Sequence, residues 1–245
     1  MFPVAILAGG RAERLRPLTD TVPKALIDVN GSPFIAHQLR WLRAQGVDRV
    51  VLCVGYLGEQ IVQTIGDGSQ FELQIIYAFD GPTLLGTASA IKHALPQLGE
   101  SFFVLYGDSY LECDYHAVQA TFEHSGKLAL MTICRNEGRW DISNVEYARD
   151  HILAYSKEAR TPRMCHIDYG LGMFRQSAFS DVPDHLPYDL ATLYPVLLRQ
   201  NQLAAFEVSQ RFYEIGSPAG LEDLRRYLQN RHKNQNANEL HSTVS

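Results

Sequence analysis

The stretch Ala8-Gly9-Gly10-Arg11-Ala12-Glu13-Arg14-Leu15-Arg16-Pro17-Leu18-Thr19 decides the fold, and it directly follows the apolar run of residues 3–7. Glycine has no side chain, so the Gly9-Gly10 pair lets backbone N–H groups approach an anion closely. The turn carries Arg11 and Arg14, and Lys24 follows ten residues after Arg14. A buried strand that ends in a glycine turn with cations nearby predicts a polyphosphate-binding loop.

Composition and charge narrow the class of protein. The chain has 245 residues, of which 46% are apolar, enough for one sizeable core or two lobes that share a sheet. A net charge of −5 argues against a general nucleic-acid surface. The apolar runs near 2–8 and 128–134 are too short to span a bilayer, and no signal peptide is recognisable. Four cysteines without a C-x-x-C pair predict reduced thiols, so we expect a cytoplasmic protein. From the charge and the short apolar runs we expect neither nucleic-acid nor membrane partners.

Strands and helices alternate over roughly the first 125 residues. This alternation predicts an α/β fold with a Rossmann-like, mostly parallel central sheet and helices on both faces. The predicted strands are 2–8, 49–54, 73–79 and 102–106, and the predicted helices are 33–45, 57–65 and 87–95.

The regular alternation of strands and helices ends after residue 125. From there, short strands with polar links predict a smaller mixed or antiparallel extension of the sheet. The predicted elements there are strands at 128–134, 144–147, 152–155, 167–174, 203–208 and 212–214, with helices at 191–200 and after Pro218. We expect one domain over 1–228, with a first lobe at about 1–125 and a second lobe at about 126–228. The polar residues 229–245 are predicted to form a mobile tail.

Four segments follow predicted strands at their carboxyl ends, where open parallel sheets bind ligands. They are the Gly9 loop, Gly55-Tyr56, residues 85–88 and Gly107-Asp108. Their convergence predicts one site. The Asp108 carboxylate suits Mg²⁺, a hard ion that takes few protein ligands beside substrate phosphates.

Other catalytic patterns are absent from the sequence. The glycine loop is neither a Walker A motif nor G-x-G-x-x-G, and H-E-x-x-H and G-x-S-x-G do not occur. Metal hydrolase and serine hydrolase chemistry therefore have no support.

Taken together, the segments resemble the sugar-1-phosphate nucleotidyltransferases, also called NDP-sugar pyrophosphorylases. The signature of that family, roughly L-A-G-G-x-G-T-R-L-x-P-L-T followed by P-K-x-L, is matched by residues 7–19 and 23–26. The resemblance extends over about residues 3–228, and it implies a nucleotide-binding lobe at about 1–125 and a sugar-binding lobe at about 126–228. Residues 54–61 and 215–218 resemble a short bacterial subgroup that includes heptose-1-phosphate guanylyltransferases.

The resemblance implies a Mg²⁺-dependent reaction of an NTP with a sugar 1-phosphate that yields an NDP-sugar and pyrophosphate. It implies catalytic roles for Arg14, Lys24, Asp108 and Lys157, with Mg²⁺ at Asp108 and Glu214. The implied nucleotide-binding residues are Leu7, Ala8, Gly9, Gly10, Arg11, Gly86, Thr87 and Gly107. The implied sugar-phosphate-binding residues are Asn144, Lys157, Asp168, Tyr169 and Gly170.

Several positions depart from the family pattern. Ala12 replaces a glycine and is expected to narrow the approach to phosphate or to require a negative φ. Glu13 is expected to weaken phosphate binding unless it points outward. Ser156 replaces a glutamate, and Asp168 replaces an asparagine.

These departures leave alternatives open. One is cytidylyl transfer to a non-sugar phosphate or a phosphonate, and another is a non-catalytic regulator that binds nucleotide sugars. A glycosyltransferase would need a D-x-D motif, which Gly107-Asp108-Ser109-Tyr110 does not supply. For the base, subgroup similarity favours GTP over UTP, CTP and dTTP, and a homodimer is expected.

Overall fold

The computed structural model describes residues 1–81, 85–184 and 186–242, and most of its strands join a single sheet. In chain order the strands are β1 (Val4–Leu7), β2 (Asp28–Val29), β3 (Ser32–Pro33), β4 (Arg49–Val54), β5 (Gln74–Phe79), β6 (Ser101–Tyr106), β7 (Ser109–Tyr110), β8 (Ala129–Arg135), β9 (Val145–Ala148), β10 (His151–Tyr155), β11 (His166–Arg175), β12 (Leu203–Val208) and β13 (Tyr213–Glu214). The helices are α1 (Phe34–Ala44), α2 (Gly58–Ile65), α3 (Thr87–Leu98), α4 (Tyr115–Ser125), α5 (Leu190–Arg199) and α6 (Pro218–Ser242).

The main sheet has the order β10-β9-β11-β6-β1-β4-β5, and β8 and β12 extend it beside β11. Strands β6, β1, β4 and β5 are parallel, whereas β11 runs antiparallel to β6 and β8. The parallel sheet and its mixed extension are as predicted, and the fold class is confirmed.

Helices cover both faces of the sheet, which explains the unbroken apolar runs of its central strands. On β1, Val4 and Ile6 belong to the core cluster beneath α1, α2 and α4. Ala5, between them, faces the opposite cluster beneath α3 and α5. None of the helices in the described ranges is long and apolar enough to cross a membrane.

Helix α4 has no counterpart among the predicted elements. Asp114 caps it, because its Oδ1 accepts a hydrogen bond from the backbone N–H of Ala117 at 3.0 Å. The side chains of Tyr115, Val118 and Phe122 are buried against the sheet. An aspartate before apolar residues at helical spacing was the available signal.

Helix α6 extends into the carboxyl-terminal segment, and the mobility of that segment stays a prediction. Residues 229–242, predicted as a polar mobile tail, continue this helix to Ser242, and 243–245 lie outside the described residues. Leu221, Leu224 and Leu228 pack in a small cluster with residues of the amino-terminal loops, including Leu15. The division into two lobes stays a prediction.

Arg231 tests whether the helix beyond residue 229 is part of the folded structure. Its guanidinium pairs with Glu112, donates to the Tyr110 hydroxyl at 3.0 Å and lies 5.2 Å from the Trp41 ring centroid. We expect Arg231→Ala to lower the free energy of unfolding by about 1–2 kcal/mol, measured by urea titration. The matched control Arg226→Ala removes a mostly exposed ion pair with Asp223 and should cost about 0.5 kcal/mol or less. Equal costs for the two variants would contradict packing of this segment.

Candidate active site

A cavity of about 360 Å³ lies at the carboxyl ends of β1, β4, β5 and β6. The predicted segments that follow β1 and β6, and the one that begins α3, meet there. Gly55-Tyr56 instead packs beneath the glycine loop, where the Tyr56 N–H donates to the Gly9 carbonyl at 3.3 Å. The lining residues are Leu7, Ala8, Gly9, Gly10, Ala12, Lys24, Ala25, Cys53, Asp80, Gly86, Thr87, Ala90, Tyr106, Gly107 and Asp108.

The Gly107-Asp108 turn crosses directly over the end of β1. The Gly107 N–H donates to the Leu7 carbonyl at 3.1 Å, and a Cβ at position 107 would overlap that carbonyl oxygen. Only glycine can lie this close to the Leu7 carbonyl without a shift of a strand, and this contact determines the position of Asp108 in the cavity wall.

Asp108 connects three parts of the chain. Its Oδ2 lies 2.7 Å from Lys24 Nζ, and the Lys24 side chain is only 16% exposed. Its carbonyl accepts a hydrogen bond from the Ile215 N–H at 2.9 Å. The turn thereby joins the amino-terminal loop to the segment that precedes α6.

Gln38 of α1, a residue that the sequence analysis did not assign, holds the same turn from below. It is 2% exposed, and its Nε2 donates to the carbonyls of Tyr106 at 3.3 Å and Ser109 at 2.8 Å. These carbonyls flank Gly107-Asp108. One amide group thus fixes the backbone on both sides of the carboxylate.

Ala12 adopts a left-handed conformation with φ 49° and ψ 49°. The expectation that alanine would require a negative φ is therefore wrong. The Ala12 carbonyl accepts hydrogen bonds from the Thr19 hydroxyl and the Leu15 N–H, both at 3.0 Å, and these bonds hold the turn. Glu13 is exposed and does not line the cavity.

Arg14 and Glu214 meet at Gly216, beside the Lys24 ammonium group. A Cβ added to Gly216 would lie 2.6 Å from Glu214 Oε2, 3.0 Å from Arg14 Nη2 and 3.2 Å from Lys24 Nζ. The Glu214 carboxylate also accepts hydrogen bonds from the Gly216 N–H and, at 2.7 Å, from the Ser217 hydroxyl. Arg11 and Arg14 are both exposed, and neither lines the cavity.

Thr87 begins α3 and is held by Asp189. Its N–H and hydroxyl donate to Asp189 Oδ1 at 2.9 and 3.1 Å, and its hydroxyl oxygen accepts from the Leu190 N–H at 2.8 Å. The hydroxyl is therefore occupied within the protein. Gly86, with φ 78°, lies against the backbone of Tyr188, so the start of α3 is in direct contact with the segment that precedes α5.

Lys157 and Asp168 lie beyond the Tyr106 ring, next to the cavity. Lys157 Nζ is 5.5 Å from the ring centroid of Tyr106, which itself lines the cavity. Burial raises the pKa of the Asp168 carboxyl, and the positive charge of Lys157 partly opposes that shift. The group around Tyr106 is a second polar region adjoining the Lys24–Asp108 pair.

The other predicted sugar-phosphate residues fall into two groups. Asn144 Oδ1 accepts from the Asp168 N–H at 2.9 Å, and the Gly170 N–H donates to Asp168 Oδ1 at 3.1 Å, so both residues hold the Asp168 segment. Tyr169 points the other way, because its side chain is 1% exposed and packs edge-on against Phe212. Its ring therefore does not reach the cavity.

Four residues at the site were not predicted from the sequence: Gln38, Asp80, Tyr106 and Asp189. The positions of Asp80 and Tyr106 could have been predicted, because both residues stand at the carboxyl ends of predicted strands. Asp189 and Gln38 carry no local signal, since their roles depend on contacts 102 and 68 or more residues away.

Comparison with known proteins agrees with this geometry. The nucleotidyl transferase family model matches residues 4–139. An N-acetylmuramate alpha-1-phosphate uridylyltransferase from Neisseria meningitidis is 31% identical over 89% of this chain and 94% of its own length. A mannose-1-phosphate guanyltransferase from Kluyveromyces lactis is 30% identical over 87% of this chain and 61% of its own length.

A solved structure described as a glucose-1-phosphate thymidylyltransferase from Bacillus anthracis has the same fold. Its TM-score is 0.82, with 19% identity, and the match covers 93% of this chain and 95% of that one. The chain therefore belongs to the nucleotidyl transferase family. The predicted resemblance to the sugar-1-phosphate nucleotidyltransferases is confirmed, whereas the heptose-1-phosphate subgroup stays a prediction.

Gln38 provides a test of how the Asp108 turn is held. Gln38→Met keeps the side-chain length but leaves the Tyr106 and Ser109 carbonyls without their donor. We expect a loss of about 1–3 kcal/mol in the free energy of unfolding, measured by chemical denaturation. Gln229→Met removes an exposed hydrogen bond to Asn30 and serves as the control, with an expected change of about 0.5 kcal/mol or less. A Gln38 variant as stable as this control would contradict the assigned role.

Proposed function

We propose that this chain transfers a nucleotidyl group from an NTP to a sugar 1-phosphate and releases pyrophosphate. The observation that carries the proposal is the convergence of the Gly9-Gly10 loop, Lys24 and Asp108 on one cavity at the sheet edge. In the proposed reaction a phosphate oxygen of the sugar attacks the α-phosphorus, and the bond from that phosphorus to the pyrophosphate oxygen breaks. The attacking oxygen is already anionic near neutral pH, so the reaction requires no general base.

Charge neutralisation and alignment would then supply the catalysis. The backbone of residues 8–10 is suited to approach the triphosphate closely, and Lys24 and Arg14 both lie beside Gly216, where their charges add. In this proposal they stabilise the negative charge that accumulates on the departing pyrophosphate. Arg11, being exposed, is the weakest of the predicted nucleotide-binding residues.

The acceptor would lie on the far side of Tyr106. There Lys157 would hold the sugar phosphate near the α-phosphorus, against the repulsion between two anions. Asp168 would accept hydrogen bonds from sugar hydroxyls, with Asn144 and Gly170 fixing its position. The Tyr169 ring is buried in the core, so Tyr169 would contribute to this part of the site only through its backbone in β11.

Mg²⁺ is the proposed cofactor. Within the described part of the chain no group of three or more His, Cys, Asp or Glu side chains could hold a metal. Mg²⁺ needs only one or two protein carboxylates when substrate phosphates supply the remaining ligands. Asp108, on the cavity wall, fits as the main ligand, and Glu214 as a second whose oxygens already accept hydrogen bonds from its own loop. When bound, the ion would neutralise phosphate charge.

The remaining expectations follow from the same reaction. The proposed substrates are an NTP and a sugar 1-phosphate, without nucleic-acid or membrane partners, in the cytoplasm. A homodimer stays a prediction.

The decisive experiment is a pyrophosphate-release assay with Mg²⁺, four NTPs and a panel of sugar 1-phosphates. We expect release only when both substrates are present. Lys24→Met and Asp108→Asn should each lower kcat by about 100-fold or more, because each removes a charge from the reacting centre.

Lys127→Met is the matched control, since Lys127 bonds to Asn201 far from the cavity. It should leave kcat unchanged. Nucleotide binding without pyrophosphate release for any pair would instead favour a regulator. Release with a non-sugar phosphate alone would favour the cytidylyltransferase alternative.

A further inference from the structure

The loop 136–143, between β8 and β9, is folded around its own buried amide. The Asn136 side chain is fully buried, and its Oδ1 accepts a hydrogen bond from the Trp140 N–H at 3.2 Å. Its Nδ2 donates to the Ser143 hydroxyl at 3.1 Å. The Trp140 side chain itself lies at the surface and is 36% exposed. The loop therefore keeps its shape by internal bonds, and contacts outside it determine its orientation.

The loop leads directly into Asn144, which joins two segments of the proposed acceptor region. The Asn144 carbonyl accepts a hydrogen bond from the Ser156 N–H at 3.0 Å, next to Lys157. Its Oδ1 accepts from the Asp168 N–H at 2.9 Å, and its own N–H donates to the His166 carbonyl at 2.9 Å. A shift of the loop would therefore be transmitted through Asn144 to the backbone around Lys157 and Asp168.

Arg211 holds the loop from outside. Its Cζ lies 5.4 Å from the ring centroid of Trp140 and 4.7 Å from that of Tyr213, within the range of cation–π attraction. Asp223 of α6 pairs with the guanidinium. Tyr213 directly precedes Glu214, the proposed second Mg²⁺ ligand. Arg211 thus connects the loop to α6 and to the strand β13 that carries Glu214.

Phe212 adds an apolar contact to the same connection. Its ring lies edge-on to Trp140, with 6.0 Å between ring centroids, and edge-on to Tyr169 of β11, with 6.2 Å. The Arg211 Nε, in contrast, is buried and bonds to no acceptor among the described residues. A buried donor without an acceptor costs stability, so stability alone does not account for an arginine at this position.

We propose that Arg211 is a positioning residue for the acceptor substrate. It anchors the loop to the Glu214 segment and thereby keeps Lys157 and Asp168 in a fixed place relative to that carboxylate. This inference rests on the proposed function. In the proposed reaction Lys157 holds the acceptor phosphate against repulsion from the triphosphate, and this task requires a fixed position.

The two substrates should depend differently on Arg211. Lys24 and Asp108, at the proposed triphosphate end, bond to each other, and the Asp108 carbonyl accepts from the Ile215 N–H. Neither bonds to Arg211 or to the loop in the part of the chain that the structure describes. Loss of Arg211 should therefore weaken binding of the sugar 1-phosphate and leave NTP binding unchanged.

Acrylamide quenching of tryptophan fluorescence tests the Arg211 contact without any substrate. The chain has two tryptophans, so Trp41→Phe leaves Trp140 as the only emitter. In this background Arg211→Met should raise the Stern–Volmer constant of Trp140 about twofold, because the guanidinium no longer covers the ring. Arg226→Met is the matched control, since Arg226 pairs with the same Asp223 and has no ring contact among the described residues. It should leave the quenching unchanged.

Steady-state kinetics in Mg²⁺ test the positioning role, with the NTP and the sugar 1-phosphate that give the fastest pyrophosphate release. Arg211→Met should raise KM for the sugar 1-phosphate about tenfold, while kcat and the KM for the NTP change by about twofold or less. Arg211→Lys keeps the charge and should restore part of the loss. Trp140→Leu should reproduce the loss and add little to it in the double variant. Arg226→Met should match wild type, and melting curves establish that each variant is folded.

Unchanged quenching in Arg211→Met would overturn the role of Arg211. Equal increases in the two KM values, or a fall in kcat with both KM values unchanged, would overturn it as well. Failure of wild type to release pyrophosphate with any pair of substrates would overturn the proposed function and this inference with it. The two failures are distinguishable, because the first is seen only in the variants and the second in wild type.

Discussion

The Gly107-Asp108 turn is the constraint on which the cavity depends. Gly107 crosses the end of β1 so closely that a side chain would collide with the Leu7 carbonyl. Asp108 then bonds through its carboxylate to Lys24 and through its carbonyl to Ile215. With Gln38 holding the flanking carbonyls, one turn of two residues connects the loop of Lys24 to the loop of Ile215, which lies near the other end of the chain.

The residues that stabilise the sheet are different from the polar residues that line the cavity. Burial on both faces of β1, β4 and β6 stabilises the sheet, and its carboxyl edge is left to polar groups that the core does not require. The Lys24–Asp108 pair keeps two opposite charges together in a largely buried place before any substrate binds. When substrate and a cation bind, Lys24 can pair with a phosphate and Asp108 with the cation, so neither side chain is left without a partner of opposite charge.

Much of the fold was predictable because its signals are local. Apolar runs and glycine stops located every parallel strand of the main sheet, and the glycine loop with Lys24 and Asp108 located the cavity. The errors have physical causes. Helix α4 depends on one capping aspartate, and α6 continues through a polar segment whose Arg231 packs on Trp41 and pairs with Glu112. Gln38 and Asp189 act through distant contacts, which no local pattern reveals.

The account's central claim is that the cavity holds a nucleoside triphosphate with its phosphates at the Lys24 end. A crystal structure of the full chain with a non-hydrolysable NTP and Mg²⁺ tests it most directly. We predict phosphates against the Gly9-Gly10 backbone and Lys24. A nucleotide bound in the reverse orientation, or in the separate cavity lined by His37, Arg40 and Lys233, would contradict the account.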